Sequence, residues 1–581
     1  MACSVRRPQK SKVAKKICVP QEDMLLKRYG RTAGRRSTLW LLPLVLSVSH
    51  FTTTADAGGS QPNFVVVVTD DLDLTLSSPS VLSRTKSLIA LRGADLSQWF
   101  VHTPVCCPSR AELLTGKMFH NLRVSSFDTK PACMYVDVAA DVAHKFYAKH
   151  YFAKHFKDLG YKVGIFGKHL NNYNTMEAPP GVDRWFVNGG GEYLNPSFIS
   201  AEPDVEEPTE LHFNNCTSPN GNPIDCYSTS VIGNVSLSWI SDQVKNDATR
   251  PFFAYIATKA PHIQDGPGFP QATPAPWYIN ATLPGRNYAP RTPNYNASCP
   301  DHHWLVRQQP PLTELEATKV DELYTSRLRT LLSVDDLVDD LIATLSDLGV
   351  LDNTYIIFTS DNGYRFGQFR MPQGKFNPYE NDIRVPMYFR GPGIRPGATR
   401  PDILGTHVDI MPTLLSLAAA SSSTNASTAI RDMDGENLAP QLLEKSIPKA
   451  IPKRNILLIE YIGLGPVIRY QHQEDAHNNT FVALRVIDST LPKGWQNIKY
   501  VEYRDCRNDW NFTHEAKEYE LFDLAMDPFE MKNIVSSASR DLLARLQKVL
   551  RELYTCVGES CRAVTFPQPS ILSYEELDAI Q

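Results

Sequence analysis

The sequence predicts an α/β protein followed by a smaller α+β domain, and three observations carry that prediction. A continuous β-branched run, "PNFVVVVTDD" from Pro62 to Asp71, ends in two carboxylates. The same grammar returns in "NTYIIFTSDNG", from Asn353 to Gly363, directly after a segment with helical spacing. Beyond residue 430, short apolar runs alternate with turns and end in an amphipathic segment.

An apolar run without alternation reads as a strand buried on both faces, and its terminal acids fall where open α/β sheets place ligands. Before the second run, "LLSVDDLVDDLIATLSDLG" spaces Leu331, Val334, Leu337, Val338, Leu341, Ile342, Leu345 and Leu348 for one face of a helix. Strand-helix-strand alternation frames the first two-thirds as an α/β domain. From about Gln264 to Arg307 the chain is rich in Pro, Asn, Tyr and Gly and reads as a long loop. The low-complexity "AAASSSTNAST" before residue 430 reads as a linker. After it, "RNILLIEYIG" and "TFVALRVI" read as strands and "RDLLARLQKVLRELY" as a final helix. No internal repeat is evident.

Ahead of the first strand, the apolar "TLWLLPLVLSVSHF" of residues 38–51 follows a basic region and precedes "ADA" at 55–57. This is the pattern of a secretory signal over residues 1–57; an uncut signal anchor fits the same pattern. No other stretch has the length and apolarity to cross a bilayer. Residues 1–57 hold 11 of the 59 Lys and Arg and 3 of the 63 Asp and Glu, which leaves 48 basic against 60 acidic residues. Such an acidic chain argues against nucleic acid as a partner and against a long polyanion groove, so an anionic substrate needs a local basic pocket. Seven N-x-S/T sequons, at Asn215, Asn234, Asn280, Asn296, Asn425, Asn478 and Asn511, fit a glycoprotein of an oxidising compartment. Nine of the 11 cysteines lie beyond residue 57, an odd number. If one has a separate chemical fate, eight remain for four disulfides, with Cys216/Cys226 and Cys556/Cys561 as candidate short loops.

The stretch "TPVCCPSRAELLTGK", from Thr103 to Lys117, sets vicinal cysteines before Pro-Ser-Arg. Cys-x-Pro-Ser-Arg with a Leu-Thr-Gly ending resembles the signature of the sulfatase family. "HHWLVRQ", "TLLSVDDLVDDL", "YIIFTSDNGYRFGQF", "IRVPMYFRGPGI" and "CVGESCR" extend the resemblance over nearly all of the chain beyond residue 57, and are similar to the glucosamine-6-sulfatase branch. The resemblance implies an alkaline-phosphatase-like sulfatase fold, a large mixed sheet flanked by helices in a catalytic domain at 58–430, with a C-terminal α+β subdomain at 431–581. It implies that Cys106 is oxidised to formylglycine by the formylglycine-generating enzyme, which accounts for the odd cysteine, and that Cys107 is the variable position. One hydroxyl of the hydrated aldehyde attacks sulfur; the other loses a proton so that the carbonyl re-forms and sulfate departs. Pro108 suits the first turn of a helix whose N-terminus favours negative charge.

By the same resemblance, Asp70, Asp71, Cys106, Asp361 and Asn362 are the calcium ligands, oxygen-rich as a hard divalent cation requires. Arg110 holds the formylglycine, Lys168 and Lys375 clamp sulfate, and His262 protonates the leaving oxygen. Many sulfatases read Lys-x-His where this chain has His169 directly after Lys168 and Leu170 in the usual His position. The glucosamine-6-sulfatase branch also lacks that histidine, and the role of His169 stays open. His120, His407 and Asp409 are expected to tie loops beneath the site, and spacing leaves the orientation of Glu380 undecided. The implied activity is hydrolysis of the 6-O-sulfate of N-acetylglucosamine in heparan or keratan sulfate, in the lysosome or outside the cell. An acidic chain favours an exo-acting pocket. The rivals are an arylsulfatase or another carbohydrate sulfatase, a phosphoester or phosphonate hydrolase of the same superfamily, and an inactive homologue that binds sulfated glycans.

Overall fold

The computed structural model describes residues 61–122, 150–171, 178–202, 208–214, 226–264, 268–421, 426–443, 454–463, 468–470, 473–505 and 515–567. The first β-branched run forms Asn63–Thr69 (β1), every residue of it buried. It lies in a ten-stranded mixed sheet beside Lys162–Lys168 (β2), Phe252–Ala257 (β3) and Thr354–Ser360 (β4). β1 runs parallel to both β3 and β4, with Val66 opposite Tyr255 and Ile357. β2 continues the parallel core beyond β3. The antiparallel Met387–Arg390 borders β4 on the other side, so the sheet is mixed, as the sequence resemblance implies.

Alternate residues of β1 enter two different cores, the physical content of a strand buried on both faces. Phe64, Val66 and Val68 pack with Cys106–Thr115 (α1) and Ile410–Ala419 (α4), through Leu113, Leu114, Met411 and Leu414. Val65 and Val67 pack with Ser228–Asn246 (α2) and Glu314–Asp347 (α3), through Ile232, Ile240, Leu331, Val334 and Val338. α3 begins far ahead of the stretch whose periodicity is legible. Thr313 accepts from Glu316 N at 3.2 Å while Glu316 accepts from Thr313 N at 2.8 Å, a capping box that starts the helix at Glu314. The expected linker at 418–428 is corrected in part. Its first residues end α4 and its last begin a helix at Ser427–Asp432, because Leu414, Leu415, Leu417 and Ala418 supply an apolar face that the large core absorbs.

The C-terminal part builds its own antiparallel sheet from Ile456–Tyr461 (β5), Thr480–Ile487 (β6), Asn497–Arg504 (β7) and Glu518–Asp523 (β8), in that spatial order. Arg540–Tyr554 (α5) covers one face through Leu546, Val549 and Leu550, against Leu458, Val482 and Leu484. The opposite face, with Leu457, Ile459, Ala483 and Val501, belongs to the core shared with the large sheet. Cys556 and Cys561 are bonded to each other, and Cys226 is disulfide-bonded. The expectation of eight paired cysteines fails at Cys299, a buried thiol packed with Val306, Phe369 and Met371 that has no disulfide partner among the described residues. The sequons at Asn215, Asn425 and Asn511 lie outside the described residues.

Glu380 is drawn into the contact between the two sheets. Its Oε1 accepts from Arg485 Nε of β6 at 3.0 Å and from Lys499 Nζ of β7 at 3.1 Å. Burial alone would raise its carboxyl, but Arg485 and Lys499 bring it down to about 2. Breaking a buried pair strands the remaining charge. Glu380→Gln therefore destabilises the protein by about 3–5 kcal/mol in chemical denaturation. A loss under about 1 kcal/mol, the scale of an exposed pair, would contradict this.

Candidate active site

The carboxyl ends of β1, β2, β3 and β4 point at one place, and the first turn of α1 closes it. β1 delivers Asp70 and Asp71, with Asp71 in the left-handed region at φ 69°. β4 delivers Asp361 and Asn362, and the two ends are sewn together. Asp71 N donates to Asp361 Oδ1 at 2.9 Å, and Asn362 Nδ2 donates to Asp71 Oδ1 at 2.7 Å. β2 ends at Lys168, whose Nζ lies 2.5 Å from Asp70 Oδ2. The turn after β3 brings His262 Nε2 to 3.6 Å from Asp71 Oδ2. Lys375 arrives from a loop, pairing with Asp71 Oδ1 and donating to Cys106 Sγ at 3.0 Å.

Cys106 opens α1, and Gly116, left-handed at φ 68°, ends it. The Cys106 Sγ lies 3.4 Å from Asp70 Oδ1. One turn on, Arg110 donates Nε to Asp361 Oδ2 at 2.8 Å and a second N–H to Lys168 O at 2.8 Å. The helix thus fixes the spacing of the thiol and the guanidinium, and both meet the carboxylates already set by the strands.

All these groups except the partly exposed His262 are buried, so the charges stand only because they face one another. Burial would raise Asp70; Lys168, then His262, Arg110 and Lys375, reverse this and hold it well below the usual carboxylate range. Asp361 is pushed up to about 6 by burial, against Arg110. Burial pushes the Cys106 thiol up to about 12 despite Lys168 and Lys375, so an unmodified Cys106 is a protonated thiol and a poor nucleophile at neutral pH. His262 is brought down to about 4, burial outweighing Asp70 and Asp71.

Asp70, Asp71, Cys106 and His262 each offer a donor atom, all within 4.8 Å of one another. Asp71 Oδ2 and Asn362 Oδ1 are buried oxygens with no hydrogen-bond donor among the described residues, which fits an oxygen-preferring divalent cation. Both Asp361 oxygens take protein donors, from Asp71 N, Asn362 N and Arg110.

The sulfatase family model matches residues 62–420. The chain belongs to the sulfatase family. It is 33% identical to human N-acetylglucosamine-6-sulfatase over 547 residues, 90% of each chain. It is 32% identical to an arylsulfatase of Volvox carteri over 565 residues, 90% of this chain and 79% of that one. The fold of this sulfatase is shared with the solved structure of BT4656 in complex with its substrate D-glucosamine-2-N,6-O-disulfate. That match has TM-score 0.60 and 20% identity, covering 87% of this chain and 99% of that one.

Of the residues singled out in the sequence, Asp70, Asp71, Cys106, Arg110, Lys168, His262, Asp361, Asn362 and Lys375 all join one contact network in this sulfatase. His169 turns the other way. It is fully buried with Tyr151, whose hydroxyl is 3.1 Å from Nε2, and packs edge-on to Trp185. His407 accepts from Trp99 Nε1 at 3.1 Å and donates Nε2–H to Ser360 O at 2.7 Å, so it braces the end of β4 as a neutral imidazole. Asp409 accepts from Thr406 N and Glu436 N, each at 2.7 Å, and His120 pairs with Glu460 of β5 at 2.9 Å; all three tie loops, as expected.

Sequence reasoning missed Arg327. Its guanidinium donates to Pro261 O at 2.8 Å and to Asp71 O, and stacks on Tyr364 4.0 Å from the ring centroid. The available signal was an arginine in the apolar stripe of α3, between Tyr324 and Leu331, where a solvated charge is out of place.

Burial pushes His169 down to about 3 from the ordinary 6.5. Between those values the unfolded chain binds a proton that the folded chain refuses, so stability falls as pH falls through that window. Relative to His169→Gln, the wild type loses about 1.4 kcal/mol per pH unit on acidification below about 6.5. Parallel stability-versus-pH curves for the two proteins would contradict the placement of His169.

Proposed function

We propose that this sulfatase removes the 6-O-sulfate of N-acetylglucosamine at the non-reducing ends of heparan or keratan sulfate, using calcium and a formylglycine made from Cys106 by the formylglycine-generating enzyme. The observation that carries the reading is the position of Cys106. It sits at the first turn of α1, its Sγ against Lys375 and Asp70, as a thiol too basic to act unmodified. The likeness to the human N-acetylglucosamine-6-sulfatase along 90% of both chains supports the choice of sugar.

Asp70, Asp71, Asp361 and Asn362 would hold the cation. Bound there, calcium would polarise the sulfate oxygens, and the hydrated aldehyde would supply one hydroxyl to attack sulfur and a second to release sulfate. The work of the chain's own side chains is positional and electrostatic. Lys168 and Lys375 face the sulfate oxygens and offset charge that grows in the transition state. Arg110, anchored on Asp361 and the Lys168 carbonyl, keeps residue 106 in place. His262 donates Nδ1–H to Ile263 O at 2.6 Å, which aims Nε2 at the reacting groups; the negative charge of a bound sulfate ester favours the imidazolium, and the proton then held at Nε2 passes to the departing sugar oxygen. The sequons and the signal pattern support folding in the secretory pathway, with delivery to the lysosome or release from the cell.

An arylsulfatase is the second reading, supported by 32% identity to the Volvox carteri enzyme over the same share of this chain. Sulfate release from 6-sulfated N-acetylglucosamine and from a small aryl sulfate separates the two, with Cys106→Ala as the blank. We expect preferential turnover of the sugar, abolished in the blank, with secretion of the variant intact. Turnover of the aryl sulfate alone would overturn the sugar assignment; turnover by Cys106→Ala would overturn the nucleophile.

A further inference from the structure

Lys375 lies on a backbone that its own sequence disfavours. Gly374 has φ 120° and Phe376 has φ 86°. A bulky aromatic residue in the left-handed region persists only where its surroundings impose it. Two elements do so. From the catalytic domain, Arg365 donates to Lys375 O at 2.7 Å and to Asp382 Oδ2 at 2.6 Å. From the C-terminal sheet, Asn479, directly ahead of β6, donates Nδ2 to Phe376 O at 3.0 Å. The same Nδ2 reaches Asp475 Oδ1 at 2.9 Å, and Asp475 Oδ2 accepts from the Tyr461 hydroxyl of β5 at 2.7 Å. The Tyr461 ring stacks on the Phe376 ring with centroids 5.9 Å apart. Asn479, Asp475 and Tyr461 are all at most 1% exposed, so each bond is made away from competing water.

We propose that Asn479, Asp475 and Tyr461 are positioning residues for Lys375: the C-terminal sheet grips Phe376 by its carbonyl and its ring and so sets the neighbouring ammonium against residue 106. The inference rests on the reading of Lys375 as a sulfate clamp. It gives the C-terminal sheet a part in turnover, since a displacement near 1 Å at a clamping group costs rate on the order of a hundredfold.

The test is a double-mutant cycle on the full-length secreted protein, read as kcat/KM for the sulfate ester and as affinity for inorganic sulfate. Asn479→Ala leaves the sequon at Asn478 in place, because Asn479 is its middle residue. We expect it to lower kcat/KM by roughly tenfold to a hundredfold and to weaken inorganic sulfate in parallel. In a Lys375→Ala background the same substitution should change either quantity less than about twofold, because groups acting through one another are not additive. A merely structural role predicts equal losses in both backgrounds and would overturn the proposal, as would wild-type kinetics in Asn479→Ala. Should Asn479→Ala fail to fold, Tyr461→Phe removes one hydroxyl and keeps the ring. A roughly threefold loss, absent in the Lys375→Ala background, supports the grip, and unchanged kinetics overturn it. Wild-type turnover by Lys375→Ala itself would instead overturn the clamp reading.

Discussion

Everything in this molecule is arranged around a buried balance of charge at the carboxyl ends of four parallel strands. Asp70, Asp71 and Asp361 are out of water, and so are Arg110, Lys168 and Lys375. None of these ions is stable there alone, since an unpaired buried charge costs several kcal/mol even after relaxation. Together they fix one another's positions, and the direct pairs Lys168–Asp70, Lys375–Asp71 and Arg110–Asp361 state the geometry in three contacts. Four strands, one helix N-terminus and two loops must all close correctly for the charges to meet. The site therefore tests the fold, and the fold explains the site. The three acidic and three basic groups stand in near equality, and a sulfate ester would add negative charge to that centre while the proposed cation would add positive charge.

The scaffold reaches this centre from two sides. Arg327 comes from α3 beneath the β1 and β3 turns, holding the Asp71 and Pro261 carbonyls on one guanidinium. The C-terminal sheet comes from the other side, sharing a core with the large sheet through Leu457, Ile459 and Ala483 and exchanging buried ion pairs through Glu380. With Tyr461 and Asn479 against Phe376, that sheet is in contact with the loop of Lys375.

Much of this was legible in the sequence because its signals are local. A β-branched run that ends in acids reads as a strand buried on both faces with those acids at its carboxyl end, and β1 and β4 both take that form. The signature that begins at Cys106 reads as a helix with Pro108 in its first turn, and it forms one; the left-handed stop at Gly116 is added by the structure. What the sequence concealed depends on distant contacts. His169 follows Lys168 directly, and strand alternation sends neighbouring side chains to opposite sides; only the Tyr151 and Trp185 environment shows that it belongs to the core. Glu380 meets Arg485 and Lys499 across more than 100 positions of sequence, beyond any periodicity. The amino-terminal half of α3 was missed because its capping box is hidden among the prolines and charges around Thr313. The two ends of the expected linker at 418–428 are helical, which the sequence hid because small residues look alike in a helix end and in a tether.

The central claim is that this pocket exists to present a modified residue 106 to a sulfate ester. The most direct measurement is mass spectrometry of the Cys106 peptide from the secreted protein, after treatment with an aldehyde-reactive hydroxylamine probe and a thiol alkylator. The account predicts the probe on residue 106, which has lost its sulfur, with no alkylation there. A peptide carrying an alkylated thiol at Cys106 throughout, from protein made in cells able to convert other sulfatases, would contradict it.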